Sequence, residues 1–226
     1  MLPSRWLVAV RIEKIDPSNP SPALLQKAAA LIKKGKVIVC PTDTGYAFAA
    51  NAIDIKAVAR VFILKGRAYT NPIHVAVHSL EAADKCAYMT KAAELLAKRY
   101  LPGGLTLVLR RREVIPPLLV AGKDTVGIRI PGNKVILSLA EMTDLPITAT
   151  SANPSGKPTP YSAQEVIDQM GEAIGGVDLV LDQGTLASRG LSTIVDLTMD
   201  PPQLIRQGVI SWLEIRQFLQ SLSQSP

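Results

Sequence analysis

Lys65-Gly66-Arg67 sets two cations on either side of a glycine, between a helix-like apolar run and a strand-like one. A glycine there lets backbone approach a ligand, and two basic side chains leaving one turn suit a phosphate. The same residues fit a plain helix C-terminus, where positive charge offsets the macrodipole. Thr150-Ser151-Ala152-Asn153-Pro154-Ser155-Gly156 crowds hydroxyl and amide side chains into the loop after a short apolar strand. Strand ends are where α/β sheets bind ligands, although this composition is also that of an ordinary turn. Pro41-Thr42-Asp43-Thr44-Gly45-Tyr46 repeats the pattern at another strand end. Arg129 stands inside the apolar run Val126-Gly127-Ile128-Arg129-Ile130-Pro131. Facing outward it is a solvated charge; beside Gly127 it could meet a carboxylate in a bidentate fork.

Other chemistries are unsupported. His74 and His78 alternate with Ile73, Val75 and Val77 as on a strand, where four residues span roughly 13 Å. They cannot share one ion and read as surface or pocket-edge histidines, so no protein metal site is expected. G-x-x-x-x-G-K-[ST], G-x-G-x-x-G and H-E-x-x-H are absent, so a nucleotide would be held by some other loop.

The elements that must position these residues are readable. Ser21-Pro22 caps a helix whose apolar spacing runs to Gly35, and Val37 to Cys40 form a short buried strand that Pro41 halts at the loop 42–45. A second helix runs over 54–64, Ile73, Val75 and Val77 alternate as a strand, and Ser79 and Thr90 cap two further helices, the latter ending at Pro102-Gly103-Gly104. Strands follow at 105–109, 125–130, 147–150, 179–181, 193–197 and 204–206, with helix starts at the capping boxes of Ser162 and Ser211.

With 226 residues, 47% hydrophobic and 19% charged, and a mean hydropathy of +0.20, the chain can bury a sizeable core, which excludes disorder. No apolar run approaches the roughly 18 residues of a membrane span, and Trp6 to Val10 reads as a strand rather than a signal peptide. Cys40 and Cys86 form no metal or disulfide pattern and read as reduced thiols of a cytoplasmic protein. The net charge of +6 favours anionic partners. The expected architecture is a single α/β domain over 22–220, a twisted mixed β-sheet flanked by helices, with an N-terminal extension 1–21 and a C-terminal tail 221–226 as frayed ends.

In their order, PTDTGY at 41–46, KGR at 65–67, NPI at 71–73, LPGGLT at 101–106, GIRIP at 127–131, TSANPSG at 150–156 and STIVDLT at 192–198 resemble the YrdC-like family of threonylcarbamoyl-AMP synthases. The resemblance covers about residues 35–208. It implies that L-threonine, bicarbonate and ATP give threonylcarbamoyl-adenylate and pyrophosphate, for the N6-threonylcarbamoyl modification of tRNA adenosine 37. It also implies Lys65 and Arg67 as the catalytic cations, and Lys65, Arg67, Asn71, Thr125, Asn153 and Arg206 along ATP. Thr44, Arg129, Ser151 and Ser192 would hold threonine, with Arg129 on its carboxylate. Mg2+ would arrive with the triphosphate, and a downstream threonylcarbamoyl transferase complex would receive the product. Longer members carry a second domain, before which this sequence is expected to stop.

Departures from the family pattern are local. Tyr46 is followed by Ala47-Phe48-Ala49 where Gly-Leu-Gly is usual, Ala68 stands for a proline, Ala76 for a histidine, and Arg206-Gln207-Gly208 for Arg-Pro-Gly. They keep open a paralogue acting on another carboxylated amine. A further alternative is a non-catalytic protein binding tRNA or double-stranded RNA, with which the net charge of +6 is compatible; 3 Phe, 5 Tyr and 2 Trp form no base-stacking cluster, which counts against base stacking but not against shape-based binding to a duplex.

Overall fold

A computed structural model describes residues 10–187 and 190–223. The helices are α1 (Pro22–Lys33), α2 (Ile55–Lys65), α3 (Leu80–Asp84), α4 (Lys91–Tyr100), α5 (Lys134–Thr143), α6 (Ala163–Met170) and α7 (Trp212–Ser223). The strands are β1 (Ile12–Lys14), β2 (Ile38–Thr42), β3 (Gly45–Ala49), β4 (His74–Ala76), β5 (Leu105–Arg110), β6 (Thr125–Arg129), β7 (Ile147–Ser151), β8 (Leu179–Asp182), β9 (Thr193–Asp196) and β10 (Gln203–Arg206). Among the described residues they form one mixed sheet in the order β1-β8-β2-β3-β7-β4-β6-β5-β9-β10. This is the mixed α/β architecture expected from the alternation of elements.

Local chemistry explains the helix starts. The Ser21, Ser79, Thr90 and Ser162 hydroxyls each accept a bond from the backbone N–H three residues on, at Leu24, Ala82, Ala93 and Glu165. Asp54 caps α2, and Asn133 caps α5, a helix the sequence pattern left unassigned. Gly66 ends α2 in the left-handed region at φ 55°, which turns the chain sharply between Lys65 and Arg67.

Alternate side chains of the sheet point into two cores. Ile38, Cys40, Ala49, Ala76, Ile147, Leu179 and Leu181 meet Leu25, Ala28 and Ile32 of α1 and Ile136 and Leu139 of α5. Val39, Phe48, Val75, Leu107 and Val195 face the other way, against Val58 and Phe62 of α2, Leu96 of α4, Val166 of α6 and Ile215 of α7.

Three expectations change. Pro41 does not halt its strand: β2 continues through Pro41 and Thr42 and returns in a tight hairpin as β3. Tyr46, opposite Pro41, sends its N–H to the Pro160 carbonyl and accepts the Ala152 N–H, so their pairing asks nothing of a proline nitrogen. Within the N-terminal extension, Ile12–Lys14 add an edge strand parallel to β8 rather than fraying. Ser221 to Ser223 of the tail continue α7, while 224–226 lie outside the described residues, as does the strand expected over Trp6 to Val10 except for Val10 itself, which is not in a strand. No helix among the described residues is long and apolar enough to cross a membrane.

Candidate active site

On the α1/α5 side of the sheet, a cavity of about 200 Å³ opens over β3, β7, β4 and β6. Ala47, Ala149 and Ala76, one from each of the first three strands, supply small side chains to its lining, and Ile136 of α5 closes one side. Thr44 of the hairpin, Ser151 at the end of β7, and Ser192 just before β9 line it with hydroxyls. Arg67, Arg129 and Arg206 bring three guanidinium groups to the same space from three separate elements.

Each arginine is held by its neighbours. Arg67 donates through Nε to the Asn71 carbonyl at 2.9 Å and through Nη2 to that of Pro72 at 2.9 Å. Arg206 grips Ser192 through both its carbonyl and its Oγ, the latter at 3.1 Å, and that Oγ lies 2.9 Å from Thr106 Oγ1. Arg129, only 7% exposed, donates to Thr44 Oγ1 at 2.8 Å and to Asp43 Oδ1 at 2.7 Å. Its Nε is buried with no partner among the described residues. Burial lowers the pKa of all three guanidinium groups, and the Asp43 carboxylate pulls that of Arg129 back upward.

His74 also lines the cavity, a residue that sequence reading placed no nearer than a pocket edge. Its ring lies against Gly127, where a Cβ would meet the ring at 2.5 Å. Burial, then the positive charges of Arg206, Arg129 and Arg67, push its pKa down to about 4, so the imidazole is neutral at pH 7. The available signal was strand alternation, which puts His74 on the face of Ala76.

Four expected site residues are not in the lining of this cavity. Lys65 ends α2 behind the 151–155 loop, with Nζ donating to the Ser151 carbonyl, to the Asn153 carbonyl at 2.8 Å and to Asn153 Oδ1 at 3.0 Å. Burial, and then the nearby Arg67 charge, bring its pKa down to about 7, while three oxygen acceptors favour the ammonium. Asn153 spends its side chain within this knot, taking the Ser151 hydroxyl at 2.6 Å on Oδ1 and donating from Nδ2 to the carbonyls of Lys157 and Pro158. Asn71 offers Arg67 its carbonyl and is otherwise exposed. Thr125 opens β6 opposite Arg110, four residues and roughly 13 Å along the strand from Arg129.

Comparison with known proteins identifies the family and the fold. A family profile of Sua5, YciO and YrdC proteins, described as telomere recombination, matches residues 30–208. The chain belongs to this Sua5/YciO/YrdC family. It is 40% identical over 200 residues to a threonylcarbamoyl-AMP synthase of Pyrococcus abyssi, covering 88% of this chain and 58% of that protein. The crystal structure of P. abyssi Sua5 complexed with L-threonine superposes with a TM-score of 0.86 at 39% identity, covering 91% of this chain and 60% of that one. Escherichia coli YciO, at 29% identity and a TM-score of 0.80, spans 89% of this chain and 97% of its own. The chain therefore spans about three fifths of the P. abyssi relative and nearly all of YciO.

A protein-held metal does not fit the donor set. Among the described residues no group of three or more His, Cys, Asp and Glu side chains could hold an ion. The cavity presents three arginines, and the carboxylate beside it, Asp43, is engaged by one of them.

Proposed function

We propose that this chain is an L-threonylcarbamoyladenylate synthase, forming threonylcarbamoyl-AMP and pyrophosphate from L-threonine, bicarbonate and ATP. The observation that carries the reading is the convergence of Arg67, Arg129 and Arg206 on one small cavity rimmed by Thr44, Ser151 and Ser192. Few substrates need three cations and so little acid; a carboxylate together with a triphosphate does. The names of the relatives point the same way.

In this reading Arg129 takes the threonine carboxylate, with Thr44, Ser151 and Ser192 as hydrogen-bonding partners for the rest of the amino acid. Threonine, once its ammonium has given a proton to solvent, and bicarbonate give a carbamate with loss of water. A carbamate oxygen attacks the α-phosphorus, the bond to the bridging oxygen breaks, and pyrophosphate leaves with the electron pair. Arg67 and Arg206 face the charge that builds on the phosphoryl oxygens, stabilisation made before the reaction begins. Lys65 and Asn153 act behind them by holding the loop that carries Ser151. Asn71, likewise, serves by fixing Arg67, and Thr125 would contact only a ligand extending along β6 beyond the cavity. Mg2+ would enter on the triphosphate oxygens and needs no protein ligand. The product would pass in the cytoplasm to a transferase complex that modifies tRNA adenosine 37, with any tRNA contact confined to that stage.

Ala76 and Ala47 in the cavity lining favour one second reading, a paralogue accepting a different amino acid. Incubation with ATP, magnesium, bicarbonate and a panel of amino acids, followed by pyrophosphate release and mass spectrometry of the acyl-adenylate, separates the two. Release dependent on both threonine and bicarbonate is the expected result. Release with another amino acid alone supports the paralogue. No release with any of them, together with tRNA binding that survives replacement of both Lys65 and Arg67, would replace catalysis with RNA binding.

A further inference from the structure

Asp43 has a role that the catalytic reading leaves out. Its carboxylate and the Arg129 guanidinium are both nearly buried, with side chains 10% and 8% exposed, and meet at 2.7 Å. Arg129 has five N–H donors. Asp43 takes one and Thr44 another, while Nε is buried without an acceptor. A desolvated donor left unpaired is costly, and because Arg129 lines the cavity, its donors not used by Asp43 and Thr44 are the ones a ligand oxygen would take. Asp43 and Thr44 are adjacent in the tight hairpin between β2 and β3, where the Thr42 hydroxyl accepts the Thr44 N–H and donates to the Gly45 carbonyl. The guanidinium plane is thereby fixed from the hairpin side.

A second consequence is electrostatic. A ligand carboxylate on Arg129 shares that guanidinium with Asp43, which places the two carboxylates within roughly 6 Å of each other. In a buried site their repulsion is weakly screened. A ligand with an ammonium next to its carboxylate offsets it; one without does not.

We propose that Asp43 is a positioning residue that aims Arg129 and restricts this anchor to zwitterionic α-amino acids. The proposal rests on the reading of Arg129 as the carboxylate anchor, but not on turnover. It is tested by calorimetric titration with L-threonine and with its hydroxy-acid analogue, 2,3-dihydroxybutyrate, in which a hydroxyl replaces the ammonium. The wild-type protein is expected to prefer threonine by about tenfold or more, the scale of one close charge pair. Asp43→Asn keeps an acceptor but removes the charge: threonine weakens by about tenfold, the hydroxy acid holds or tightens, and discrimination collapses. Asp43→Ala removes the aim as well and weakens both ligands, with Asp43→Glu recovering part of the preference. Arg129→Ala loses both ligands, and adding Asp43→Asn to it changes nothing further.

Equal weakening of the two ligands by Asp43→Asn, at an unchanged melting temperature, would reduce Asp43 to a structural role and overturn the proposal. So would wild-type discrimination retained in that variant, or a wild-type protein that binds no threonine. Threonine binding with the expected selectivity but without pyrophosphate release would instead sink the synthase reading and leave this one standing.

Discussion

Buried Lys65 and the three cavity arginines, of which Arg129 is buried and Arg67 and Arg206 are half-buried, do opposite things with their hydrogens. At Lys65, the ammonium has its three donors on three oxygens of Ser151 and Asn153, and the carboxamide of Asn153 is in turn used up by Ser151, Lys157 and Pro158. Around the cavity, Arg67, Arg129 and Arg206 are fixed by a few bonds each, and Arg129 keeps a buried donor unpaired. Saturated donors hold a backbone in place, and under the proposed function the spare ones are left for a ligand. On that proposal the motif residues of one family divide into a scaffold and a binding surface.

The largest expected effect follows from breaking the scaffold. Lys65→Ala takes a donor from three acceptors; Asn153 Oδ1 keeps the Ser151 hydroxyl and the Ser151 carbonyl keeps the Asn153 N–H, so the cost, about 1–3 kcal/mol, falls mainly on the Asn153 carbonyl, and the loop that carries Ser151 is released. Pyrophosphate release should fall below detection and the melting temperature should drop by several degrees. Thermal melting at wild-type temperature with lost turnover would move Lys65 from the scaffold to the ligand surface.

Arg67→Ala is the converse experiment. Its bonds go to two loop carbonyls and its side chain reaches the cavity. Turnover is expected to fall by about 10²–10³, the scale of one lost electrostatic contact in a transition state, with little change in melting temperature. Steady-state kinetics and thermal melts on one preparation decide it, and near-normal turnover would remove Arg67 from the site.

Gly127→Ala probes the shape of the binding surface. The new Cβ meets the His74 ring at 2.5 Å, so the imidazole must shift within the cavity. The cost is about 1–3 kcal/mol of overpacking, accompanied by a roughly tenfold rise in the KM for the amino acid. Wild-type KM with lowered stability would show that His74 serves packing alone.

The smallest effect is the pH response of His74. Its pKa is about 4 in the folded chain against an ordinary 6.5, so between those values the unfolded chain binds the extra proton. Stability on this account is full above pH 6.5 and falls as pH drops towards 4, by at most about 3 kcal/mol. Partial exposure of the ring reduces that figure. Urea midpoints at pH 7 and pH 4.5, alongside the imidazole proton shifts, check it; an imidazole that titrates near 6.5 would mean that neither burial nor the three arginine charges act on it.

Much of this was legible beforehand. Capping serines and threonines, the strand read at 125–130 and found at 125–129, and the motif segments carried both fold class and family, because short-range patterns of apolar residues and caps are local physics. The hairpin partner strand 45–49 was not, since Tyr46-Ala47-Phe48-Ala49 is buried on both faces and carries no polar alternation. Nor was the fate of Lys65: an ammonium looks equally suited to phosphate or to carbonyls until the 151–153 loop is seen to close on it.

By itself, the sequence determined that this chain folds as a mixed α/β domain and which residue types could serve an anionic ligand. Tertiary structure alone decided which of them meet. Arg67, Arg129 and Arg206 are brought together by strand order across the sheet, and no spacing along the chain encodes that convergence. The same holds for Asp43 against Arg129, 86 residues apart, since a buried charge finds its partner only when two distant strand ends come to lie at one edge of the cavity.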